Sequence, residues 1–213
     1  MSIADILRMA PVVPVLTIED PRLGPPIARA LVAGGLPVIE ITLRTPLALE
    51  VLRAILREVK EAMPGVGTVT QAAQLAEAKR AGALFAVSPG CTPRLAAAAR
   101  ERNLPFLPGV ATVSEAMQAA EAGFTHLKFF PAASAGGPTF LRAVAAPLPD
   151  LLFCPTGGID AASAPAYLAL PNVICVGGSW VVPEPAVRAR DWSRIRTLAA
   201  SAAVMRAGLP LID

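Results

Sequence analysis

The chain has 213 residues, 54% of them hydrophobic and only 16% charged, with a formal net charge of +3. That length suits one large core, and two domains would each have to be small. Lys and Arg are scattered and form no basic block, which argues against nucleic acid as a partner, and no apolar window of about eighteen residues spans a membrane.

In chain order, "MSIADILRMA" places Asp5 and Arg8 inside its apolar pattern, where a secretory signal has an unbroken apolar run. It predicts a short amphipathic N-terminal helix and a cytoplasmic protein. Eight apolar runs follow: "VVPVLTI" (Val12–Ile18), "VIEITL" (Val38–Leu43), "GVGTV" (Gly65–Val69), "LFAVSP" (Leu84–Pro89), "FLPGV" (Phe106–Val110), "HLKFFP" (His126–Pro131), "LLFCPTG" (Leu151–Gly157) and "VICVGGS" (Val173–Ser179). Seven are followed by helix-like segments rich in Ala, Leu, Glu and Arg, such as "TQAAQLAEAKRAG", which ends at Gly82. The segment after "LLFCPTG" is shorter and holds Pro165, which weakens the case for a helix there. The runs recur roughly every twenty to twenty-five residues, the length of one βα unit.

Eight such units imply a parallel sheet buried on both faces, and eight closes a (β/α)8 TIM barrel, which needs about 200 residues. An open doubly wound sheet is disfavoured because no GxGxxG opens a helix after the first strand. No linker divides the chain, so residues 1–213 are expected to form a single barrel domain preceded only by the short helix. Cys91, Cys154 and Cys175 lie far apart and His126 is the single histidine, so neither a disulfide framework nor a Cys/His zinc site is expected. No metal and no cofactor are predicted.

A barrel places function at the C-terminal ends of its strands. Thr42, Arg44, Thr68, Ser88, Thr156 and Ser179 all end runs, but strand ends are wetter than strand middles in any protein. Lys128 and Glu40 escape that explanation. Of three lysines, Lys60 and Lys79 sit in charged helical neighbourhoods, and Lys128 alone sits in an apolar strand. Glu40 is the only acid within the eight runs. The two-residue period puts His126, Lys128 and Phe130 on one face, and Glu40, Thr42 and Arg44 on one face. A buried ion pair that merely fixes register is the bland reading, and such pairs add little net stability. The sharper one is a nucleophilic amine, since desolvation beside a second cation activates lysines in general. His126, nearer the strand start, reads as a packing residue. "PTGGI" and "VGGSW" end the last two strands, where barrels bind phosphate through loop amides. Two adjacent Gly-Gly pairs, one followed by Ser179, point to a phosphate site.

At these residues the chain resembles a family. "VIEITLRT", "GVGTV", "FAVSPG", "LPGVAT", "HLKFFPA", "FCPTGG" and "GGSW" are similar, in order and spacing, to the bacterial 2-keto-3-deoxy-6-phosphogluconate (KDPG) aldolases, over nearly the whole chain. The resemblance implies a metal-free class I aldolase, typically a homotrimer. It would cleave KDPG, a phosphorylated 2-keto acid, to pyruvate and glyceraldehyde 3-phosphate in the Entner–Doudoroff pathway, and often 4-hydroxy-2-oxoglutarate as well. It implies Lys128 as the Schiff-base lysine and Glu40 as the acid/base, acting through a water. Arg44 and Thr68 would hold the substrate carboxylate. Thr156, Gly157, Gly158 and Ser179 would bind phosphate, and Pro89 and Phe130 would wall the pyruvyl carbon. Many members carry an acid where this chain has Ala133, which puts loop contacts in doubt more than chemistry. Two rival readings share the same residues. One is a lysine holding pyridoxal phosphate; the other is a non-catalytic binder of phosphorylated metabolites.

Overall fold

Every apolar run becomes a strand in the computed structural model, which describes residues 1–206. The strands are β1 (Val12–Leu16), β2 (Val38–Thr42), β3 (Met63–Gly67), β4 (Ala86–Val87), β5 (Phe106–Leu107), β6 (Gly109–Val110), β7 (His126–Phe129), β8 (Leu152–Pro155) and β9 (Val176–Gly178). Pairing is parallel throughout the ladders, in a curled six-stranded sheet ordered β5-β4-β3-β2-β1-β9 and a three-stranded sheet ordered β6-β7-β8.

One expected strand is split. The run from Phe106 to Val110 changes partner at Pro108, which has no N–H to give to a ladder. Before it, Phe106 and Leu107 pair with Ala86 and Val87; after it, Gly109 and Val110 pair with Lys128 and Phe129. The Pro108 carbonyl still accepts from the Lys128 N–H at 2.8 Å. At the far edges, parallel bridges link Phe153 to Val173 and Thr156 to Gly177, so β8 also touches the segment that becomes β9.

The connecting segments are helical. After the first strand come a 3-10 turn at Pro21–Leu23 and helix α2 (Gly24–Ala33), following the N-terminal α1 (Ile3–Arg8). Then come α3 (Ala48–Glu58), α4 (Ala72–Ala81), α5 (Pro93–Glu101), α6 (Val113–Glu121), α7 (Gly137–Val144), α8 (Ala164–Leu168), α9 (Glu184–Arg188) and α10 (Trp192–Ala203). The segment holding Pro165 does form a helix, five residues long. Its proline sits in the first turn, where the missing N–H costs nothing.

Strand parity separates two layers of core. Ile39 and Ile41 join Leu127, Phe129 and Phe153 in the large apolar layer, and Phe129 stacks on Phe140 of α7 at 4.7 Å. The opposite parity, which carries Glu40 and Lys128, holds a separate cluster built on Val13, Val38, Phe85, Val87, Leu107 and Cys154. Ile6 and Leu7 of α1 pack into that second cluster, each 1% exposed. A capping box starts α1: Ser2 Oγ accepts from the Asp5 N–H, and the Asp5 carboxylate accepts from the Ser2 N–H. The expected N-terminal helix is therefore a plug, and the polar groups sit further along the same face. Among the described residues no helix is long and apolar enough to cross a membrane. The expected domain runs to Asp213, and residues 207–213 lie outside the described residues.

Candidate active site

Lys128 and Glu40 meet. The lysine Nζ lies 3.3 Å from Glu40 Oε1, with side chains only 6% and 4% exposed. They come from strands on different sheets, β7 and β2, so the contact exists only because the sheet curls. On the lysine's other side its Nζ lies 5.4 Å from the centroid of the Phe130 ring. A buried amine and a buried carboxylate together can pass a proton without solvent. An unpaired charge at either position would cost several kcal/mol.

The "GVGTV" run makes room for this pair. Glu40 folds over Gly67 on β3, where a Cβ would fall within 2.6 Å of the Glu40 Cγ. The next residue, Thr68, has φ +61°, a left-handed conformation that a β-branched residue rarely takes. Such a conformation costs about 1–3 kcal/mol and clusters at functional sites.

A cleft of about 1060 Å³ opens beside the C-terminal ends of β1, β8 and β9. Arg44, Phe130, Thr156, Gly157, Gly158 and Ser179 all line it. Arg44 is exposed in the turn after β2, and Ser179 is exposed immediately after β9. Gly157 and Gly158 have φ of +101° and +73°, so the "PTGG" glycines are there for backbone conformation. Lys128, Glu40, Thr68 and Pro89 do not line the cleft. Phe130, two residues beyond Lys128 on the same face, belongs to both places. Pro89 follows Ser88, whose Oγ accepts from the Gly109 N–H at 3.2 Å, and Gly109 is the register partner of Lys128. Ala133 lies against Gly158, so the departure from the family pattern borders the glycine loop.

Other groups stay outside. His126 is half-buried with Nδ1 3.0 Å from Thr125 Oγ1; burial, and secondly the charge of Arg8, hold its pKa below the ordinary 6.5. The Cys175 thiol is pushed well up by a hydrogen bond with Cys154 and by burial, so it is not poised to react. Among the described residues no group of His, Cys, Asp or Glu could hold a metal ion. Sequence reasoning overlooked Thr17, which directly follows β1 and lines the cleft. It is the one polar residue in "VVPVLTI", a signal of the kind that singled out Thr42 and Thr68.

A family model described as "KDPG and KHG aldolase" matches residues 3–198. The 2-dehydro-3-deoxy-phosphogluconate aldolase of Pseudoalteromonas atlantica is 49% identical, over 98% of this chain and 97% of its own. The KDPG aldolase of Legionella pneumophila, with pyruvate captured as a covalent carbinolamine intermediate, superposes with a TM-score of 0.93 at 43% identity, over 95% of this chain and 98% of its own. That of Zymomonas mobilis ZM4, with 3-phosphoglycerate, gives a TM-score of 0.92 at 46% identity over 98% of each chain. A buried lysine–carboxylate pair on a curled parallel sheet thus comes with close sequence kinship along its length, and the chain belongs to the KDPG and KHG aldolase family.

Proposed function

We propose that Lys128 forms an imine with the C2 ketone of 2-keto-3-deoxy-6-phosphogluconate and that its cleavage yields pyruvate and glyceraldehyde 3-phosphate. The protein is an aldolase, a carbon–carbon lyase of the class I, Schiff-base kind. The carrying observation is, among the described residues, the only strand lysine, buried, with its amine 3.3 Å from the only carboxylate within the strands.

The steps follow from that pair. Lys128 Nζ hands a proton to Glu40 and attacks C2, and loss of water leaves an iminium. Glu40, again a carboxylate, takes the proton of the C4 hydroxyl. The C3–C4 bond breaks, its electron pair moves toward the iminium nitrogen to form an enamine, and the aldehyde departs. Protonation of C3 by Glu40 and hydrolysis release pyruvate and restore the amine. The iminium, not a metal or added cofactor, is the electron sink. Arg44 supplies a fork suited to the substrate carboxylate, and Thr68 a hydroxyl for it. The amides of Gly157 and Gly158 and the hydroxyls of Thr156 and Ser179 take the phosphate, while Pro89 and Phe130 wall the pyruvyl carbon. 4-Hydroxy-2-oxoglutarate presents the same pyruvyl half and would give pyruvate and glyoxylate.

We also infer one closed (β/α)8 barrel domain over residues 1–213. Its support is the shared run that joins the two sheets at Pro108, and the bridges Phe153–Val173 and Thr156–Gly177 on the other side. The homotrimer rests on the family resemblance.

Borohydride reduction in the presence of pyruvate, followed by peptide mass mapping, tests the assignment. Lys128 should carry the reduced pyruvyl adduct. A label on Lys60 or Lys79, or none, would overturn it.

A further inference from the structure

Thr17 is exposed, follows β1 directly and lines the cleft, yet no step of the reaction above uses it. Its Oγ1 lies 2.8 Å from Oγ1 of Thr42, which is only 1% exposed. Thr42 Oγ1 in turn donates to the Leu16 carbonyl at 3.1 Å. A carbonyl only accepts, and a threonine hydroxyl has one proton and two lone pairs. Both hydrogen bonds can form together only when Thr42 gives its proton to Leu16 and accepts from Thr17. In that arrangement the Thr17 proton points into the protein. What Thr17 offers the cleft is an oxygen with lone pairs alone.

Such an oxygen repels carboxylate and phosphate oxygens and pairs only with a donor. Its place on the fold says which donor. β1 lies between β2 and β9, so Thr17 stands between Arg44, beyond β2, and Ser179, beyond β9. On the reading that Arg44 holds the carboxylate end and Ser179 the phosphate end, Thr17 faces the middle of the substrate. Two hydroxyls lie there. That on C4 gives its proton to Glu40, and that on C5 has no assigned partner.

We propose that Thr17 is a specificity-determining residue: it accepts a hydrogen bond from the C5 hydroxyl of the substrate. In the reverse, aldol direction the same group is the 2-hydroxyl of the acceptor. The site would then favour 2-hydroxylated aldehyde phosphates over their 2-deoxy counterparts.

The test is aldol addition of pyruvate to glyceraldehyde 3-phosphate and to 3-oxopropyl phosphate, which differs only in lacking that hydroxyl. Wild type should prefer the hydroxylated acceptor in kcat/KM. Thr17→Val keeps the shape, and should shrink that preference about two- to tenfold, the worth of one neutral hydrogen bond. Thr17→Ser should restore it. Equal losses on both acceptors, or an unchanged preference, would overturn the role of Thr17. Borohydride trapping of pyruvate on the same preparations separates the two readings. A wild type that traps no pyruvate at Lys128 removes the aldolase reading and the Thr17 role with it. Normal trapping with an unchanged acceptor preference in Thr17→Val removes only the latter.

Discussion

Replacing Gly67 with alanine should disable the chemistry although Gly67 is assigned no contact with the substrate. A Cβ there would sit 2.5 Å from Glu40 Cδ and 2.6 Å from its Cγ, closer than real Cβ atoms approach other carbons. Gly67 is not among the positive-φ glycines, so its backbone accepts alanine and the whole cost falls on Glu40. The carboxylate must swing away from the Lys128 amine, now 3.3 Å distant. Losing a positioned acid–base group typically costs about 10²–10⁴ in rate, or about 2.7–5.4 kcal/mol of barrier. Overpacking of the site should cost about 1–3 kcal/mol of stability. Pyruvate release coupled to lactate dehydrogenase gives kcat, and a thermal melt gives the folded fraction. Glu40→Gln should fall by the same order, with pyruvate trapping slowed but present. Gly65→Ala is the control: on the same strand face, its Cβ would meet the Phe85 ring at 2.5 Å instead of Glu40. It should lower Tm while the folded protein keeps kcat within a fewfold. Near-wild-type kcat in Gly67→Ala, or equal activity loss per folded molecule in both variants, would refute the reasoning.

Ser179→Ala should weaken KDPG cleavage about ten- to a hundredfold, one hydrogen bond to a charged group, while cleavage of 4-hydroxy-2-oxoglutarate changes little; equal losses would remove Ser179 from the phosphate site. Activity should survive exhaustive chelation, and loss restored by zinc or another divalent ion would contradict an iminium sink. His126 has a folded pKa below 6.5, so the unfolded chain binds the proton first as pH falls. Its contribution is therefore lost as pH drops from about 6.5 toward the folded value and is level above that. His126→Asn should flatten this part of the stability–pH curve in denaturant titrations, and an unchanged slope would dismiss the histidine.

The architecture was legible because parallel strands buried on both faces leave long apolar runs, and all eight runs carry a strand. What the runs could not reveal was pairing. Pro108 looks like any residue of "FLPGV", but its missing N–H lets the run leave β4 and join β7. Pro165 misled in the opposite direction. In the first turn of a helix it is neutral, and only the position of the helix start, at Ala164, decides whether it breaks anything.

The site divides along a similar line. Lys128 and Glu40 were legible because a charge in a buried strand is costly wherever it occurs, and strand parity then says which face it shares. Their meeting was an inference of topology, since 88 residues separate them. The supporting glycines carried less information. Gly67 and Gly157 are the same letter, yet one is required by a carboxylate overhead and the other by its own backbone at φ +101°. Thr17 is harder still, because its meaning lies in a proton direction. Nothing in "VVPVLTI" tells whether its hydroxyl donates or accepts. That follows only once Thr42 and the Leu16 carbonyl stand beside it, and the buried partner has settled which way the proton points. A specificity contact built this way is carried by three groups on two strands, so substitution of Thr42 would change what Thr17 can recognise without altering Thr17.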